Sequence, residues 1–413
     1  MFMNNKKTSI LLLLASTSLL FIGKFDFLGP VKISDYLIIL SFLFFVIAFL
    51  KKEITIPWKD SIFKYILISL IFIIMGTITS LIFIERIEII PVLKGYYHII
   101  INLIYVIEIF ILSKYDDNLI KKICYGFLLS LSVIFLIYLP YTNKYLLYMG
   151  SRFQGLLNDP NYFANFQIIP TIILLHLIKK DGLKIIIKII LSILFFFSIG
   201  LILWSGSRSG LMGIIFSLFF FIILILKNTP KLKVVAISLL IILSFPVGYI
   251  LMPKQSHKNI ETRINNVTQT KNLTTEQMGL INKISGKQDR LNIWVNSIYF
   301  ITKNPLGYGP GYSKIINIQG ENSTNRVSHN TIFEILLIGG IGLFITLLTL
   351  GYFFIKKTTK NRDSFTIFIV TCLIGIVTSS MFLDLFLYSK WFWVLVIIFY
   401  LKTSKFNLSI NFK

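Results

Sequence analysis

From Ile185 to Leu226 the chain runs for 42 residues with only Lys188 and a polar turn around Arg208 interrupting its apolar character. As a single helix it would extend about 60 Å, twice the hydrocarbon thickness of a bilayer. It therefore has to reverse direction. Ser205-Gly206-Ser207-Arg208-Ser209-Gly210 is the polar, glycine-bearing place for it to do so. Runs of about 20 apolar residues recur from end to end, each long enough to cross a membrane as a helix. Only 14% of residues are charged, against roughly 25% in a soluble domain. No ten-residue alternation of polar and apolar positions appears, which excludes a membrane barrel. These features predict an all-α, polytopic integral membrane protein with about twelve transmembrane helices. The expected spans are 9–28, 34–50, 62–84, 96–113, 122–140, 161–178, 183–204, 210–226, 232–252, 331–355, 364–383 and 385–401.

The net charge of +23 would suit nucleic acid, but its distribution does not. With the N-terminus placed in the cytoplasm, 23 of the 41 basic residues fall on inner segments and their flanks. The short outer loops hold 8, and the long segment between spans nine and ten holds the other 10. That is the positive-inside asymmetry. It predicts one membrane domain over 1–413: spans one to nine in 1–252, an extracytoplasmic loop at 253–328, and spans ten to twelve in 329–413. Both termini would be cytoplasmic. Lys6-Lys7 followed by an apolar run resembles a signal peptide, but no small-x-small cleavage site follows, so an uncleaved first span is expected. Cys124 and Cys372 fall inside spans and imply neither a disulfide framework nor a zinc site.

The residues suited to chemistry gather at the expected outer face. Lysine outnumbers arginine 34 to 7, so arginine at outer turns carries information. Its planar fork fits phosphate oxygens in a way an ammonium does not. Arg86 is flanked by Glu85 and Glu88, and Arg263 has Glu261 nearby; Arg152, Arg208, Arg290 and Arg326 remain. Arg152 precedes Asp159-Pro160, an N-cap acceptor followed by proline at a helix start. Taken alone, Arg152 could be a solvated surface charge, and Arg208 a snorkelling interfacial one. Arg290 opens a helix over about 288–302 whose Leu291, Trp294, Val295 and Ile298 follow helical spacing. It is too short to span and reads as lying at the interface. Gly307-Tyr308-Gly309-Pro310-Gly311-Tyr312 lacks a preceding strand and reads as a tight loop, not a dinucleotide fingerprint. His329 stands just outside Thr331-Ile332-Phe333-Glu334, a capping-box pattern with Thr331 as the expected N-cap. Such a histidine can exchange a proton near neutral pH or be an ordinary interface residue. Gly339, Gly340 and Gly342 read as a close helix-packing surface.

Three stretches together resemble the O-antigen ligase and O-antigen or capsule polymerase superfamily of integral membrane glycosyltransferases. They are Arg152-x-x-Gly155 with Asn158-Asp159-Pro160-Asn161-Tyr162-Phe163-Ala164, then Gly206-Ser207-Arg208-Ser209-Gly210, and Arg290-x-x-x-Trp294 through Asn304-Pro305-Leu306-Gly307 to His329-Asn330-x-x-x-Glu334 and Gly339-x-x-Gly342. The resemblance covers about residues 145–345. It implies a lipid-dependent, GT-C-like fold in the bacterial plasma membrane. It also implies glycan transfer from undecaprenyl pyrophosphate at the outer face, with no metal, cofactor or nucleotide sugar. His329 would be the general base, Arg208 and Arg290 would stabilise the leaving pyrophosphate, and Arg152, Asn161, Asn330 and Glu334 would bind substrate. Glu334 would also orient His329. The expected partners are the lipid-linked donor, a glycan or lipid-linked glycan acceptor, membrane lipids and a chain-length regulator. Polymerase is the preferred activity; ligase, with lipid A-core as acceptor, is the alternative. A lipid-linked oligosaccharide flippase should line its span interiors with charge, whereas Glu108 is the main buried acid here.

Overall fold

The computed structural model describes residues 4–20, 22, 32–83, 89–138, 147–148, 152–157, 159–226, 229–250, 257, 287–312, 330–360, 363–381 and 388–403. They form α1 (Asn5–Ser18), α2 (Ile33–Leu50), α3 (Ser61–Phe83), α4 (Ile89–Leu112), α5 (Leu119–Tyr138), α6 (Pro160–Lys179), α7 (Ile185–Trp204), α8 (Arg208–Ile225), α9 (Lys231–Ile250), α10 (Lys287–Lys303), α11 (Thr331–Lys360), α12 (Ser364–Ser380) and α13 (Lys390–Thr403). Eight of these, α2, α3, α4, α6, α7, α8, α9 and α11, are long and apolar enough to cross a membrane. The only described strands are β1 (Leu147–Tyr148) and β2 (Arg152–Phe153), an antiparallel pair in which Tyr148 faces Arg152. The protein is an all-α, polytopic membrane protein.

Local chemistry sets the helix ends. Asp159 caps α6 by accepting from the Asn161 and Tyr162 amides, with Pro160 at the first helical position. Ser207 caps α8 by accepting from the Gly210 amide. The expected reversal in the long apolar run falls between Trp204 and Arg208. Two expected spans differ most from the observed helices. The first ends at Ser18, in a turn where the Ser16 and Thr17 hydroxyls bond back to the Leu13 carbonyl and Ser18 to that of Leu14. The fourth begins at Ile89 rather than 96, because Pro91 lies in the first turn, where a missing amide donor costs nothing.

Helix α6 is the centre of the bundle: 15 of its 20 residues are buried, and it packs against α5, α7, α8 and α12. Helix α13, with 11 of its 14 residues buried, fills the space between α4 and α12. Close approach is made by small residues. A Cβ on Gly213 of α8 would lie 2.6 Å from the Gly375 carbonyl of α12, where Ser217 Oγ also donates to the Thr371 carbonyl. The outer surfaces of α3, α7, α9 and α11 expose Leu81, Ile185, Leu232 and Leu348, each more than half accessible. Apolar faces of this extent are what lipid covers.

Candidate functional site

Arg152 is not a solvated charge. Its Nε donates to the Ser205 carbonyl at 2.7 Å and an Nη to Asn161 Oδ1 at 3.0 Å. It thereby joins β2, the first turn of α6 and the α7–α8 turn. Beneath it, Phe153 stacks on Trp204 at 4.6 Å and meets Phe163 edge-on at 5.0 Å. Arg208 follows that turn by one step, at the first position of α8, and is exposed. No ion pair among the described residues involves it. The structure thus brings Arg152, Asn161 and Arg208 to one corner. Arg208 stands at a helix N-terminus whose dipole and free amides favour an anion.

The same end carries the start of α11. Asn165, one turn along α6 from Asn161, donates to the Ser380 hydroxyl at 3.3 Å and accepts from Trp391 at 2.8 Å. The Ser380 carbonyl in turn accepts from Thr331. Here the expected cap is corrected. Asn330, not Thr331, is the N-cap: its Oδ1 accepts from the Ile332 and Phe333 amides at 2.9 and 3.3 Å. Either side chain can cap a helix, but the Thr331 hydroxyl is drawn to Ser380. His329 lies outside the described residues, immediately before this cap in the chain.

Arg290 lies in the first turn of α10, and its side chain is outside the described set. This helix docks on α11, with Trp294 edge-on to Phe333 at 6.0 Å. The exposure pattern agrees with the expected helix lying at the interface. Ile293, Asn296 and Ser297 are buried, whereas Val295 and Ile298 are 64% and 49% exposed. The apolar face looks outward, as on a helix lying against lipid.

Gly342 makes the expected close approach, a Cβ there lying 2.1 Å from the Phe72 ring of α3, but Gly339 and Gly340 do something else. Helix α11 breaks at Gly339 and Gly340, with Gly340 at φ +63°, ψ −162°. The released carbonyls of Leu337 and Ile338 accept from the Tyr308 and Gly309 amides at 2.5 and 2.9 Å, and the Ile341 amide donates to the Pro305 carbonyl at 2.9 Å. The 304–312 loop therefore pairs with the broken helix. Thr79 of α3 holds it from the other side, donating to the Gly307 carbonyl at 3.0 Å. The glycine-rich loop is a rigid splice between α10 and α11.

A second polar cluster was not anticipated from the sequence. Lys390 at the start of α13 forms a buried ion pair with Asp35 at the start of α2, their side chains 7% and 1% exposed. Tyr97 Oη also donates to Asp35, at 2.9 Å. The rings continue from Tyr97 to His98 at 5.4 Å and from His98 to Tyr388 at 6.0 Å. Tyr388 Oη then donates to Glu334 of α11 at 3.4 Å. The available signal was two opposite charges, each at the boundary of an apolar helix on the same expected face. Among the described residues, no group of three or more His, Cys, Asp or Glu side chains is placed to hold a metal ion.

An apolar helical bundle with Arg152, Arg208, the Asn330 cap and the buried carboxylates Asp35 and Glu334 at one end defines a membrane-embedded protein with a polar site at the boundary. Residues 193–348, rather more than a third of the chain, match the family model described as O-antigen ligase. The match runs from within α7 to within α11 and takes in Arg208, Arg290, Asn330 and Glu334. Arg152, Asn161 and the Asp35–Lys390 cluster lie outside it. No curated protein matches the chain.

Proposed function

We propose that this protein is a metal-independent polysaccharide polymerase acting at the outer face of the bacterial plasma membrane, with both termini in the cytoplasm. An acceptor hydroxyl attacks the anomeric carbon of a glycan held on undecaprenyl pyrophosphate. The new bond forms to the acceptor oxygen, the bond to pyrophosphate breaks, and undecaprenyl pyrophosphate leaves. His329, next to the Asn330 cap, takes the acceptor's proton. Loss of such a base costs roughly 10²–10⁴ in rate. Arg208 and Arg290, with Arg152 holding the corner, stabilise the charge that builds on the leaving oxygens. Fixed donors aimed at developing charge supply much of an enzyme's acceleration.

The observation that carries this reading is the Arg152 corner: one guanidinium ties Asn161 to the Ser205 carbonyl and fixes the turn that presents Arg208. A lipid-linked oligosaccharide flippase would need charge along its span interiors. Here the described charged clusters sit at the helix ends, and the interior acid Glu108 is buried and accepts from Ser41. The family description favours a second reading of the same chemistry, in which the acceptor is lipid A-core or another surface glycan and the enzyme is a ligase. Glycan banding from cells lacking the protein separates the two: single-repeat product supports polymerase, and loss of all attached glycan supports ligase. Unchanged banding refutes both.

A further inference from the structure

We infer that Glu334, Tyr388 and His98 form the subsite that holds the acceptor's sugar ring, across the start of α11 from the arginine corner. This inference rests on the glycosyl-transfer reading and adds where the acceptor binds.

Three observations carry it. The first is charge. The cations of this cluster, Lys390 and Lys32, are engaged with Asp35, whereas the group presented at the start of α11 is Glu334, a carboxylate only 3% exposed. A carboxylate in that place disfavours pyrophosphate. It suits a neutral polyol, since a carboxylate accepts from sugar hydroxyls while phenol and imidazole donate or accept. The second is shape. Tyr388 and His98 are half-buried rings set edge to face at 6.0 Å, the kind of surface on which the C–H face of a sugar packs. The bond from Tyr388 to Glu334, at 3.4 Å, is at the long limit. A sugar hydroxyl between the two groups replaces it with two shorter bonds.

The third is placement. Thr331 and Glu334 are one turn apart on α11 and look to different neighbours. Thr331 bonds Ser380, and through Asn165 this side leads along α6 to Asn161 and Arg152. Glu334 bonds Tyr388 and leads to His98. The start of α11, with its Asn330 cap, thus stands between an anion-binding corner and a hydroxyl-binding one. Transfer between two glycans needs that division. The Asp35–Lys390 pair and Tyr97 act as positioning residues, locking α2, α4 and α13 so that the two rings stay in register.

The test uses purified full-length protein in lipid nanodiscs. The probe is the glycan released from its undecaprenyl pyrophosphate by mild acid, which has no leaving group and so cannot act as donor. Its affinity is measured by saturation-transfer NMR, alongside that of undecaprenyl pyrophosphate, in wild type, Tyr388→Phe, Glu334→Gln, His98→Phe and Arg152→Lys. Removing one hydrogen bond to a charged group corresponds to about tenfold or more in affinity. The first three variants should weaken glycan binding by about tenfold or more and leave the pyrophosphate lipid unaffected. Arg152→Lys should do the reverse. Unchanged glycan affinity in all three overturns the subsite, and so does a parallel loss of both ligands, which marks a merely structural role. If the wild-type protein transfers no glycan from the lipid donor, the glycosyl-transfer reading itself fails and takes the subsite with it. Transfer by wild type with normal glycan affinity in the variants refutes the subsite alone.

Discussion

Replacing Gly340 by alanine tests the splice between α10 and α11 most severely. Gly340 occupies φ +63°, ψ −162°, a region essentially reserved for glycine, and forcing another residue into it costs about 1–3 kcal/mol. An added Cβ would lie 2.1 Å from the Pro305 carbonyl oxygen and 2.5 Å from the Leu306 carbonyl carbon. Both are backbone atoms of the paired loop and cannot swing aside. Relief means pushing the loop away, which stretches the bonds from Ile341 to Pro305, Tyr308 to Leu337 and Gly309 to Ile338. Each contributes about 0.5–1.5 kcal/mol net, so the total loss is about 3 kcal/mol or more. Gly351, in the same helix, is the control, because a Cβ there meets no heavy atom within 4 Å. Gly351→Ala should gain about 0.5–1 kcal/mol from reduced chain entropy. Thermal unfolding of the detergent-purified proteins measures both. Gly340→Ala should melt several degrees below wild type and lose glycan transfer, because α10 and Arg290 move with the displaced loop. Gly351→Ala should melt at or above wild type. Equal melting of Gly340→Ala and wild type would refute the pairing of loop and broken helix.

Arg208→Lys keeps the charge but not the two-pronged contact, and should lower transfer by about tenfold to a hundredfold at equal protein level; Arg86→Lys should be nearly silent. Wild-type activity in Arg208→Lys would leave Arg208 as a snorkelling residue only. His329→Ala should reduce transfer by roughly 10²–10⁴ with donor binding intact, while His257→Ala stays active. A transfer rate within a few-fold of wild type in His329→Ala would remove the base assignment. Cysteines placed at Ser256 or Ser323 should react with an impermeant reagent in intact cells whose outer barrier is opened. Labelling at Ser404 instead would invert the proposed orientation.

The helices were legible because an apolar run of about 20 residues has few other uses, and the 205–210 turn because a 42-residue run cannot fit across a bilayer. Ends were less legible, since they depend on tertiary partners: the Thr331 hydroxyl is drawn to the Ser380 carbonyl and leaves the cap to Asn330. The interfacial character of α10 was legible in its length and apolar spacing, and Val295 and Ile298 do face out while Asn296 and Ser297 pack inside. The arginine corner could be anticipated as a set of residue types, but not as a geometry, because nothing local says that Arg152 reaches the Ser205 carbonyl 53 positions away. The Asp35–Lys390 pair, 355 residues apart, is a product of tertiary packing alone. His98 and Tyr388 gain meaning only beside Glu334.

Whether the arginine end of this bundle transfers glycan from a pyrophosphate lipid is settled most directly by reconstitution. The purified protein is placed in liposomes with undecaprenyl-pyrophosphate-linked repeat unit, in the presence of a chelator. Products are resolved by glycan length, and free undecaprenyl pyrophosphate is quantified. The expected result is a ladder of lengthened glycans with one undecaprenyl pyrophosphate released per bond formed, and its loss in Arg208→Lys and His329→Ala. Unlengthened glycan-lipid appearing on the opposite leaflet, with no undecaprenyl pyrophosphate released, would contradict glycan transfer and identify a transporter instead.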